Sequence, residues 1–231
     1  MAKIKIVVFP GTNREKDMAD AFERVSGTRP DFIWHQEKEI GASDLIVLPG
    51  GFSHGDYLRC GAMAAHSPIM KEVIKKANAG TPILGVCNGF QTLIESGLLP
   101  GALLKNNHLK FNCKRINLRV ETNDNNFLGK FNKGDILPEI PVAHGDGNYF
   151  VTADQLNELQ DNDCVALKYC SPNGALSDRD NPNGSSDHIA GVFNKEKTIL
   201  GFMPHPENAV DPLHGGTGGL KLFEGIVEAL N

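Results

Sequence analysis

The sequence predicts an α/β fold, a mostly parallel sheet flanked by helices with added antiparallel strands, and three observations predict it. Short apolar runs at residues 3–9, 44–48 and 82–86 have the length and hydrophobicity of strands buried on both faces. Stretches of helical spacing lie between them, the pattern of βαβ units, whose crossovers make neighbouring strands parallel. After about Lys105 the pattern changes to short alternating segments separated by Asn- and Gly-rich turns, which suits partly antiparallel additions.

Taken in order, the strand at 3–9 is broken by Pro10-Gly11-Thr12-Asn13, and a helix over 14–25 follows with Met18, Ala21, Phe22 and Val25 on one face. Strands at 31–34 and 44–48 come next. Pro49 ends the second of these, and Gly50-Gly51-Phe52 then forms a loop in which backbone amides can approach a ligand closely. Ligands in parallel sheets bind beyond the carboxyl ends of the strands, so the loops after Phe9, Leu48 and Val86 are expected on one rim.

The strand at 82–86 and a helix at 91–96 leave Cys87 at a strand-to-helix corner, flanked by Gly85 and Gly89. A residue at such a corner is thrust out of the sheet edge on a strained backbone, and the first amides of the helix favour a thiolate and can bind an oxyanion. The bland alternative is a buried thiol of the ordinary kind. Glycines 50 and 51 likewise admit two readings, an oxyanion donor facing Cys87 or a simple turn.

Strands are expected at 110–120, 136–143, 149–152 and 165–169, and no Pro/Ser linker isolates them, so residues 1–231 are read as one domain. Within this region Ala143-His144-Gly145-Asp146-Gly147 is either a loop that holds a ligand by its backbone or a solvated turn. Closing strands at 188–193 and 198–203 lead to His205-Pro206-Glu207. Pro206 forces His205 out of the helical region, so the tripeptide is expected to be extended, with His205 and Glu207 on one side. A carboxylate so placed holds the ring's tautomer and stabilises its charge, and Cys87, His205 and Glu207 then form a triad in chain order. The glycine-rich run 214–219 lacks the Lys-Ser/Thr ending of a phosphate loop and is read as the lead-in to a last helix over 220–230.

Composition narrows the function classes. A net charge of −5 and a pI near 5.9 argue against nucleic acid or an anionic membrane as the main partner. No run of 18 apolar residues exists, and the opening apolar run is broken too soon by Pro10 and Gly11 to act as a signal peptide, so a cytoplasmic protein is expected. Five cysteines at unrelated spacings indicate neither a disulfide framework nor a zinc site. No metal site is expected.

The motifs PGGFSHGDYLRCGA, GVCNGFQ, AHGDG, NPNGSSDHIAG and MPHPE, in this order, resemble the class I (triad) glutamine amidotransferases, and within them the branch that serves purine biosynthesis. The resemblance runs nearly end to end and implies a flavodoxin-like amidotransferase fold. It implies Cys87 as nucleophile, His205 as general base and then acid, and Glu207 as its orienting carboxylate. Gly50, Gly51, Phe52 and the Asn88 amide would form the oxyanion hole, with Gln91, Gly145 and Asp146 holding glutamine. This chain has no recognisable ATP site. The resemblance implies a large synthetase subunit that uses ATP and magnesium to convert formylglycinamide ribonucleotide to the amidine, with a small third subunit. Arg14-Glu15, Asp146 and Asn208 depart from the branch's pattern, all outside the triad. A cysteine hydrolase or stress chaperone of the same fold would not need Gln91 or Glu207, and a non-catalytic scaffold would not need all three triad residues.

Overall fold

The computed structural model describes residues 2–231. Strand β1 (Ile4–Val8) leads through helix α1 (Glu15–Ser26) to β2 (Asp31–Trp34), and β3 (Leu45–Leu48) is followed by short α2 (Ala62–Ala65) and α3 (Met70–Asn78). Then come β4 (Ile83–Val86), α4 (Asn88–Glu95), β5 (Ala102–Leu104), β6 (Asn112–Val120), β7 (Ile136–His144) and β8 (Asn148–Phe150). The chain closes with α5 (Ala153–Asp161), β9 (Val165–Cys170), β10 (Ile189–Phe193), β11 (Ile199–Phe202) and α6 (Leu220–Ala229).

Nine strands form one sheet in the order β2-β1-β3-β4-β11-β10-β9-β6-β7. The pairs from β2 through β11 are parallel, and those from β11 through β7 are antiparallel. The late segments therefore extend the parallel sheet. The expected strand at 149–152 departs from this: β8 pairs with β5 in a separate two-stranded ribbon.

Every residue of β3, β4, β9, β10 and β11 is buried, which explains the continuous apolar sequences of all but β9, where Lys168 is paired with Asp187 at 2.7 Å. Helix α1 turns its Met18–Phe22 face inward, and Phe22 meets Phe223 of α6 edge-on at 5.0 Å. Helix α5 was not expected from apolar periodicity. A capping box starts it: the Thr152 hydroxyl accepts the Gln155 amide at 3.3 Å while Gln155 Oε1 accepts the Thr152 amide at 3.1 Å. Among the described residues no helix is long and apolar enough to cross a membrane.

The parallel register sets the rim. Val86 at the end of β4 pairs with Phe202 at the end of β11, so Cys87 and the segment holding His205 leave adjacent strands at the same edge. The loops after β1 and β3 meet there too, joined by an antiparallel bridge between Thr12 and Gly51.

Candidate active site

Cys87 lies between β4 and α4 with φ 52° and ψ −107°, a conformation that costs a non-glycine residue roughly 1–3 kcal/mol. The surroundings hold it there. Its amide donates to the Phe202 carbonyl at 2.8 Å, and its carbonyl accepts the Gln91 amide at 3.0 Å, closing the first turn of α4. Gly89 lets this turn approach β3, because a Cβ there would come 1.8 Å from the Leu48 carbonyl oxygen. Helix α4 thus begins at Asn88, directly after the nucleophile candidate and earlier than its apolar pattern suggests.

His205 and Glu207 are both buried, and His205 Nδ1 donates to Glu207 Oε1 at 2.6 Å. The route to this contact differs from the expected extended tripeptide. His205 is outside the helical region at φ −110° and ψ 79°, but Pro206–Asn208 is a 3₁₀ turn, and Glu207 reaches back from within it. Proline suits the first position of such a turn because its fixed φ fits and the missing N–H is unneeded there.

The imidazole lies beside the Cys87 sulfur. Burial disfavours a charged ring, yet the charges of Glu207 and Cys87, with hydrogen bonding to both, push His205 up to about 10. The thiol has a second polar neighbour, the Ala143 carbonyl at 3.9 Å.

Cys87 opens on a cavity of about 810 Å³ that is also lined by Gly51, Phe52, Gln91, Gly145 and Asp146, among others. The structure thus brings the expected nucleophile, one loop of expected oxyanion donors and the expected glutamine contacts to one wall system. The oxyanion set needs one correction: the Phe52 amide is committed to the Gly11 carbonyl at 2.9 Å, so it is not a free donor. Among the described residues the amides of Gly50, Gly51 and Asn88 donate to no backbone carbonyl. The Gly50 carbonyl accepts the Asn13 and Arg14 amides at 3.3 and 3.2 Å.

Gln91 is built into the wall, its Nε2 donating to the Asp146 carbonyl at 2.8 Å and its Oε1 accepting from Asn88. The Gly145 carbonyl accepts the Asn106 amide at 2.9 Å, and Asn183 Nδ2 braces the same loop at the Gly147 carbonyl, 2.7 Å away.

Sequence reasoning gave no role to Asp56 or Cys60, and none to His144 beyond its place in the 143–147 loop. Asp56 and Cys60 line the cavity, and their only signal was membership of the GDYLRC stretch. Burial pushes the Asp56 carboxyl up against hydrogen bonds from Cys60, the Gly61 amide and Asn88. Burial and the charges of Asp56 and Asp146 push the Cys60 thiol far up, so Cys60 stays protonated. His144 Nδ1 donates to Asn106 Oδ1 at 3.1 Å, and burial first, then the charge of His205, lower its pKa to about 4. No His, Cys, Asp or Glu cluster among the described residues has the makings of a metal site.

The sequence model of the CobB/CobQ-like glutamine amidotransferase domain matches residues 1–216. The chain is 52% identical over 227 residues to the phosphoribosylformylglycinamidine synthase subunit PurQ of Rhodospirillum rubrum, covering 98% of each chain. It superposes on a chain in the solved structure of PurLQS from Thermotoga maritima with a TM-score of 0.87 and 43% identity, covering 100% of both. A glutamine amidotransferase from Thermotoga maritima, 14% identical with a TM-score of 0.59 and covering 99% of this chain, shares the fold.

Proposed function

The chain belongs to the CobB/CobQ-like glutamine amidotransferase family, and on that premise we propose that it is the glutaminase subunit of a phosphoribosylformylglycinamidine synthase, releasing ammonia from glutamine at Cys87, His205 and Glu207. The observation that carries the catalytic part is the His205–Glu207 contact of 2.6 Å with the Cys87 sulfur beside the same ring.

The Cys87 thiolate attacks the side-chain amide carbon of glutamine. A C–S bond forms and the carbonyl electrons move to oxygen, where the amides of Gly51 and Asn88 receive the charge. As the carbonyl re-forms, the C–N bond breaks and His205 gives its proton to the departing nitrogen, which leaves as ammonia. A γ-glutamyl thioester remains. Water adds to it as the now neutral His205 takes a water proton, and glutamate departs as the thiolate returns. Glu207 holds the ring orientation throughout.

Ammonia then passes to a large subunit that uses ATP and magnesium to convert formylglycinamide ribonucleotide to the amidine, in an assembly with a small third subunit in the cytoplasm. An apolar surface around the cavity mouth supports a partner there: Phe52, Tyr57, Leu58, Leu104 and Phe111 are exposed.

Treatment with diazo-oxonorleucine, a glutamine-like electrophile, followed by peptide mass spectrometry tests the reading. Modification of Cys87 with loss of glutaminase activity is expected. Labelling of Cys60 instead, or full activity of a Cys87→Ala variant, would overturn it.

A further inference from the structure

The side chain of Asn88 ties together two of the loops that wall the cavity. Asn88, Ser53 and Gln91 are all at most 5% exposed. Asn88 Oδ1 accepts the Ser53 amide at 3.0 Å, and its Nδ2 donates to Gln91 Oε1 at 2.9 Å and to Asp56 Oδ1 at 3.3 Å. Gln91 Nε2 continues the chain to the Asp146 carbonyl at 2.8 Å.

Backbone groups fix the direction of this relay at both ends. An N–H at Ser53 can only donate and a C=O at Asp146 can only accept, so neither side-chain amide can flip without losing a bond. Such bonds are costly to break where water cannot replace them.

The Gly51 amide lies two residues before Ser53. On its far side this loop is pinned to the loop after β1, with Phe52 N to Gly11 O at 2.9 Å and His54 N to Pro10 O at 2.6 Å. On its near side Asn88 holds it. Asn88 also directly follows the nucleophile, and the proposed reaction assigns its own backbone amide to the oxyanion.

We propose that Asn88 is a positioning residue for the transition state. Its side chain sets the Gly51 amide at the spacing from its own amide at which both reach one oxyanion, and Gln91 extends the restraint to the Gly145–Asp146 wall. The inference rests on the glutaminase reading and adds a role for a side chain that makes no contact with the reacting atoms.

Two reactions of Cys87 separate positioning from mere architecture. Glutamine hydrolysis passes through an oxyanion, whereas alkylation by iodoacetamide is a direct displacement at sulfur and does not. In the assembled complex, Asn88→Leu and Asn88→Ala are expected to lower kcat about ten- to a hundredfold with KM changed less than about threefold. The alkylation rate of Cys87 is expected to stay within about twofold of wild type. Expressing kcat per alkylatable Cys87 removes misfolded protein from the comparison. Gln91→Met is expected to raise KM with little loss of kcat.

Equal falls in hydrolysis and alkylation would overturn the proposal in favour of an architectural role. An unchanged kcat in the Asn88 variants of an active wild-type enzyme would overturn it alone. A wild-type complex devoid of glutaminase activity would sink the parent reading and the proposal with it.

Discussion

Gly50 backs the His205 ring so closely that a Cβ at position 50 would lie 2.7 Å from Cε1 and 3.4 Å from Nδ1. The ring is held from Glu207 on one side and has no room to retreat on this one. Gly50→Ala is therefore expected to push the imidazole off line and lower kcat about tenfold or more, because displacements of this size weaken catalysis out of proportion to stability. Steady-state kinetics beside thermal unfolding checks it; an unaltered kcat would mean the ring adapts freely.

Glu207→Gln keeps the shape of the carboxylate and removes its charge. Burial then works against the protonated ring unopposed by that charge, and kcat is expected to fall roughly 10⁴-fold, the loss found when the orienting carboxylate of such triads is replaced. The same change alters alkaline stability. His205 is raised to about 10 in the fold, so its contribution is fully present below the ordinary histidine value and is lost as pH rises towards 10. Wild-type Tm is expected to decline across that window, and the decline should be shallower in Glu207→Gln.

His144 predicts the opposite arm. Its pKa of about 4 lies below the ordinary histidine value, so unfolding is favoured as pH falls from about 6.5 towards 4 and the unfolded chain takes up a proton that the fold refuses. Each pH unit in this window costs about 1.4 kcal/mol from this residue. Denaturant titrations of wild type and His144→Gln at pH 7 and 5 measure it; the same pH dependence in both would remove His144 as the cause.

Thr152→Ala deletes the hydroxyl that caps α5 and is expected to cost about 1 kcal/mol. A protein of this size would lose roughly 2–4 °C in Tm. The helix does not line the cavity that holds Cys87, so glutaminase kinetics should be unchanged.

Tyr57 and Leu58 are 90% and 81% exposed at the cavity mouth, a state that suits residues covered in an assembly. Leu58→Asp is expected to weaken association with the synthetase subunit at least about tenfold while leaving Cys87 alkylation in the free chain unchanged. Titration calorimetry provides the comparison, and undiminished affinity would move the interface elsewhere.

Local chemistry made much of the architecture readable. The strand at Asp31–Trp34 matches its expected bounds, and β1, β3, β4 and β11 lie within a residue or two of theirs, because apolar runs bounded by glycine and proline report burial directly. Cys87 stood out because its corner lies between two such signals. What escaped depends on partners distant in the chain. Nothing near Phe52 announces that its amide belongs to Gly11, and nothing near Asn88 announces Ser53. The folding back of Glu207 through a 3₁₀ turn was hidden for a different reason: Pro206 favours both an extended segment and the first position of a turn, and only packing chooses. Helix α5 did carry a signal, the Thr152-x-x-Gln155 box, but one without strong apolar periodicity.

Strand β11 has β4 on one side and β10 on the other, so it is the seam between the parallel and antiparallel halves of the sheet. It also follows Cys87 by more than a hundred residues in the chain. Until it inserts, a nascent chain has a thiol at position 87 but no imidazole beside it, and its two half-sheets have no common border. Closure of the sheet and the placing of the imidazole beside Cys87 thus depend on the same short segment.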